Sequence, residues 1–134
     1  MNDTSPASIA TTYFDALGRG DIPTVMAQFA DDVVWRQPGA NRFSGDHAGV
    51  AGVGALIGGM MEASEGTFQL AVTGPVMTNG DLVAVPVRFS GTRGEASMDM
   101  AGVDLLTVRD GKIVEVHLFS EDGAAEDAFW GRAL

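Results

Sequence analysis

The sequence predicts an α+β fold in which about three N-terminal helices gather on one side of a single antiparallel sheet. Up to about residue 65 the apolar residues recur mainly at helical spacing, with one strand-like interruption. From Thr67 onward they fall in short runs separated by turn formers, and Asp110-Gly111 gives a hairpin signal. Helices first and strands later exclude a doubly wound parallel sheet, in which the two alternate. No repeat, linker or low-complexity stretch divides residues 1–134, so the chain reads as one domain.

Ser5 before Pro6 is an N-cap with proline in the first turn. Ile9, Tyr13, Phe14 and Leu17 then follow at helical spacing until Gly18 and Gly20, which places the first helix over about Pro6 to Leu17. Asp21 caps a second helix with Pro23 in its first turn and Val25, Met26 and Phe29 as its buried stripe. "DDVVWRQ" is a strand, and "PGANRFSGDHAG" is rich enough in turn formers to be a loop. A third helix begins near Val50. Its Gly52, Gly54, Gly58 and Gly59 each cost about 1 kcal/mol against helix, so its stability must come from close packing. Four strands follow in "TFQLAVTG", "DLVAVPVRFSG", "EASMDMAGVDLLTVR" and "KIVEVHLFS", with Pro86 marking an edge or bulge and Gly102 a bend. "EDGAAEDAFWGRAL" reads as a short acidic turn whose Phe129 and Trp130 need burial, either at the mouth of a cavity or against a partner.

With 46% hydrophobic and 19% charged residues, 134 residues can build one real core. Eighteen acidic against eight basic residues give a net charge of -10, which disfavours nucleic acid and anionic membranes as partners. The absence of cysteine removes disulfides, thiolate metal sites and cysteine nucleophiles. "MNDTSPAS" lacks a basic start and apolar run, and no stretch reaches the ~20 apolar residues that span a bilayer; the expectation is a soluble, cytoplasmic protein.

The order of elements, with "GDIPTVMAQFADDVVWRQPG", "FSGDHAG" and "VRDGKIVEVHLFSED", resembles the SnoaL-like domains of the nuclear transport factor 2-like superfamily over almost the whole chain. That resemblance implies a cone: a curved sheet wrapped around a helical wall, a deep apolar pocket between them, and a homodimer on the sheet's back face. It leaves activity open, because the superfamily holds isomerases, cyclases, dehydratases, epoxide hydrolases and binders. "YFDALGRGDI" and "GVDLLTV" are similar to the segments that carry the oxyanion hole of ketosteroid isomerases. The likeness implies Tyr13 as one hydrogen-bond donor and Asp104, kept protonated, as the second. The general-base aspartate of those isomerases precedes a proline; Gln37 precedes Pro38 here, and a neutral amide cannot take a carbon-bound proton. The water-activating Asp-Arg-Asp set of limonene epoxide hydrolases would fall on residues such as Pro86 and Leu118, so that mechanism does not carry over.

On their own chemistry, Met100, Gly102, Asp104, Leu106 and Val108 share one strand face. Asp104 is then either a desolvated, neutral acid that could donate to an enolate or phenolate, or a solvated carboxylate at a bulge. Tyr13 and Trp35 are core residues or pocket walls. His47, beside Asp46, is the candidate base. His117 points away from Val116 and Leu118 and reads as an interface residue, and two histidines fall short of the usual metal triad. Glu62 and Glu65 end the third helix, where they could supply a base from the opposite wall, although solvated carboxylates are commonest there.

The first reading is therefore an enzyme performing acid-base isomerisation or cyclisation of a hydrophobic carbonyl or polyketide-like compound, without metal or cofactor. Tyr13 and Asp104 would bind its oxygen, Gln37 would position it, and Trp35, Met60, Val85 and Val116 would line the pocket. The second is a binding module that holds a small apolar molecule unchanged. The third is an epoxide opener pairing Asp104 with Glu62.

Overall fold

The computed structural model describes residues 4–132; the first three residues of the stretch read for a leader, and the last two of the tail, lie outside them. Helix α1 runs Pro6–Arg19, and α2 runs Ile22–Ala27. Both expected caps form: Ser5 accepts from the Ser8 N–H and Asp21 from the Thr24 N–H. Gly20 ends α1 at φ 69°, a left-handed turn that glycine makes without steric cost. Phe29, expected on α2, instead opens strand β1 (Phe29–Gln37), because α2 stops after six residues.

The segment read as one long loop contains β2 (Gly45–Ala48), a short edge strand antiparallel to β1. Helix α3 (Gly49–Ala63) starts where expected, and its close packing is visible at Gly59, where an added Cβ would sit 3.0 Å from the Phe43 ring. Strands β3 (Gln69–Val72), β4 (Met77–Asn79), β5 (Leu82–Arg93), β6 (Ala96–Arg109) and β7 (Lys112–Ser120) follow. The tail is a helix, α4 (Gly123–Trp130), capped by the Asp122 side chain on the Ala125 N–H.

The sheet order is β2-β1-β7-β6-β5-β3, with β4 also on β5. The late strands are antiparallel as expected; β1 joins β7 in parallel, so the sheet is mixed. α1 crosses β3 to β6, α3 covers β1 and β2, and α4 rests on β6, which gives the α+β cone. Pro86 lies in the gap on β5 between the residues paired to β3 and those paired to β4, where its missing N–H leaves no ladder partner wanting.

Gly102 lies on β6 with Phe119 and Phe89 against it. A Cβ there would fall 2.5 Å from the Phe119 carbonyl oxygen and 2.8 Å from the Phe89 ring. Because a ladder carbonyl cannot step aside, Gly102→Ala should cost about 2 kcal/mol of unfolding free energy in urea titration. A loss within experimental error would show that the close approach is not needed.

Candidate functional site

Alternation along β6 turns Met98, Met100, Asp104, Leu106 and Val108 inward, which decides between the two readings of Asp104. It is 4% exposed, flanked in the ladder by Val85 and Leu118, and is no rim carboxylate. Burial, and then the charge of Glu126, push its carboxyl up to about 7. Tyr13, 1% exposed, is fixed by edge-on contacts with Phe14 and Phe29 at 4.9 and 5.5 Å, and Phe29 in turn meets Trp35. Burial, and then Asp104, raise its phenol well above its ordinary range, so the hydroxyl stays protonated.

Among the described residues neither the Tyr13 hydroxyl nor the Asp104 carboxyl makes a side-chain hydrogen bond, yet no fully enclosed side-chain polar atom lacks a partner. The small exposure left to these two residues therefore falls on their polar ends. Both face space that a water-sized group can enter.

A hydrogen-bonded chain begins at Trp35. Its Nε1 donates to Gln37 Oε1 (3.0 Å), and Gln37 Nε2 donates to Glu126 Oε2 (3.4 Å). Glu126 also accepts from Trp130 Nε1 (3.2 Å) and from the Ser120 hydroxyl. Glu126 is 5% exposed, which makes it, with Asp104, one of two buried acids among the described residues. Sequence reasoning passed over Glu126 because it stands in an acidic tail. The signal was its spacing: residues 126, 129 and 130 share one helix face, and the other two are Phe129 and Trp130.

The C-terminal end of α4 is held by two arginines. Arg42 Nε donates to the Trp130 carbonyl and Arg93 Nε to the Phe129 carbonyl, each at 2.7 Å, placing cations where the helix dipole is negative. Asp127 accepts from the Ala40 N–H and the Asn41 amide. Trp130, packed on Phe43, Phe68 and Phe129, is buried within this chain.

Of the other expected site residues, Val85 is paired beside Asp104, Val116 is paired beside Trp35, and Met60 is buried on α3. His47 lies opposite Trp35 on β2, and its Nε2 donates to the Phe43 carbonyl at 2.7 Å. No hydrogen bond among the described residues links His47 to Tyr13, Gln37 or Asp104. Asp46 does not orient it, being taken by Arg36 at 2.8 Å. Glu62 is exposed, so it does not pair with Asp104. Glu65 accepts from the Gly94 N–H.

His117 sits on the outer face with Glu115 and Arg36, whose hydrogen bonds hold the Glu115 carboxyl below its usual range. Two cavities of about 250 and 260 Å³ also lie outside the cone, one beside Asp32 and Arg109, the other beside Val103 and Phe119. No group of three or more His, Asp or Glu among the described residues is placed to hold a metal ion, and no helix is long and apolar enough to cross a membrane.

Residues 10–116 match the SnoaL-like domain. The chain belongs to that family. An uncharacterized protein of Mycobacterium tuberculosis is 30% identical to this SnoaL-like chain over 131 residues, covering 97% of it and 99% of the relative. The crystal structure of a protein of unknown function with a cystatin-like fold from Xanthomonas campestris superposes with a TM-score of 0.92 at 48% identity, covering 96% and 99% of the two chains. TerC, co-crystallized with polyporic acid, superposes with a TM-score of 0.81 at 22% identity, covering 93% and 98%, a likeness of fold.

Proposed function

We propose that this SnoaL-like protein binds a small, largely apolar molecule through a carbonyl or phenolic oxygen at Tyr13 and Asp104, and catalyses its isomerisation or cyclisation by acid-base chemistry. The supporting observation is the pair of buried groups that face space without a protein partner. Below about pH 7 Asp104 carries its proton, so both groups donate. Two donors in an apolar surrounding favour an oxygen on which negative charge develops. Met60, unbranched and polarizable, is the wall residue best able to move aside for a ring. The fold neighbour crystallized with polyporic acid is consistent with an organic ligand.

Binding of 1-naphthol followed by fluorescence at pH 6 tests the oxygen site. Tyr13→Phe and Asp104→Leu should each weaken it about tenfold, the worth of one hydrogen bond. Equal affinity in all three proteins would end this reading. Gln37 favours a second reading, pure binding without turnover, since its amide cannot serve as a base.

A further inference from the structure

We propose that Glu126, carried by α4, is the proton acceptor of this site, held in place by Gln37, Ser120 and Trp130, and that the substrate class is a carbonyl or related ring compound with an acidic C–H bond. The proposal rests on Tyr13 and Asp104 as the end that takes the substrate's oxygen.

Glu126 is buried but has no cation. The ion pairs among the described residues involve other carboxylates, all more exposed, and Glu126 is met only by neutral donors. Neutral donors orient a carboxylate without cancelling its charge, as a base requires. An ionised carboxylate offers about four lone-pair sites. Three donors fill three of them, and one remains to accept a proton.

The same geometry explains residue 37. It must accept from Trp35 with one end and donate to Glu126 with the other, which a primary amide does and a carboxylate does not. An aspartate there would set a second acceptor against Glu126. Gln37 is thus a positioning residue, and the base has moved to the terminal helix. Asp104 feels the charge of Glu126. Asp104 therefore keeps its proton to serve the oxygen, while the donors around Glu126 leave one of its lone pairs open, the division of labour that acid-base isomerisation needs.

In the step itself, Glu126 takes a proton from the carbon next to the carbonyl. The C–H electron pair becomes the C=C bond of an enol or enolate, and the carbonyl π pair moves to the oxygen, which takes a hydrogen bond or proton from Asp104 and Tyr13. Where the substrate carries a C=C bond one carbon further on, re-formation of the carbonyl sends the electron pair of this dienolate to the far carbon, which takes the proton back from Glu126; the double bond has moved and no oxidant or reductant is consumed.

5-Nitrobenzisoxazole reads a buried base without knowledge of the natural substrate. Loss of its C3 proton breaks the N–O bond and releases a coloured cyanophenolate. Wild type should exceed acetate at equal concentration, and Glu126→Gln should lower kcat about a hundredfold or more with KM within threefold. Its 1-naphthol affinity and melting temperature should stay at wild-type values. If Glu126→Gln does not fold, Glu126→Asp carries the test: drawing the carboxylate back by one methylene should slow the reaction at least tenfold. Wild-type turnover in either variant, or a wild-type protein no better than acetate, overturns the proposal. Intact naphthol binding alongside such a failure leaves the Tyr13–Asp104 site standing, whereas naphthol binding indifferent to Tyr13 and Asp104 removes that site instead.

Discussion

Between pH 5 and pH 8 the folded protein should lose roughly 3 kcal/mol of stability, almost all of it through Asp104. Its carboxyl lies near 7 in the folded chain against an ordinary 3.8. Between those values the folded state binds a proton that the unfolded state has released, so stability falls as pH rises through this window. A displacement of about three pH units corresponds to roughly 4 kcal/mol when fully expressed, of which about 1.6 is already lost at pH 5. Asp21 and Glu115 act oppositely, since their carboxyls are lowered; their stabilisation is lost only as pH falls below the usual carboxylate range. Urea titrations at pH 5 and pH 8 check this. Asp104→Asn should flatten the dependence and be the more stable protein at pH 8. A wild type equally stable at both values would mean that Asp104 is ionised throughout, and its role as an oxygen donor would go with it.

Trp130→Ala should cost about 4 kcal/mol, within the range for deleting a large buried aromatic side chain. Trp130 has no exposed surface and meets Phe43, Phe68 and Phe129 edge-on or tilted at 4.8 to 5.7 Å. Its truncation leaves a void among those rings and removes one donor from Glu126. Trp130→Phe keeps most of the packing and loses only the N–H, so it should cost about 1–2 kcal/mol. Guanidinium unfolding of both variants separates the two contributions. A loss below 1 kcal/mol for the alanine variant would show that α4 contributes little to the folded state.

Local chemistry made much of this legible. Proline and cap residues set the starts of α1 and α2, and alternation through Met100, Gly102, Asp104, Leu106 and Val108 put Asp104 on an apolar face, with a bulge near Gly102 as the alternative that burial then excluded. What escaped depends on partners distant in sequence. β2 is a strand because β1 lies beside it; none of its residues, Gly45, Asp46, His47 and Ala48, favours a strand. The parallel junction of β1 with β7 joins residues about eighty positions apart, and nothing local encodes it. Asp46 beside His47 suggested an oriented base, but neighbours on a strand face opposite sides, and Arg36 claims the carboxylate. The acidic tail was misread for a related reason: its overall charge hid a single apolar helical face that carries one of those acids inward.

The placement of Glu126 and Trp130 on one terminal helix makes this architecture modular. The proposed proton acceptor and the buried Trp130 share one helix, α4, while Tyr13 and Asp104 belong to α1 and β6. Replacing that helix alone would exchange the proposed base while leaving every strand intact. Chemistry can therefore diversify on one helix without a redesign of the frame that carries it. During synthesis α4 also follows every strand, so Tyr13 and Asp104 lie in chain already made when Glu126 is added.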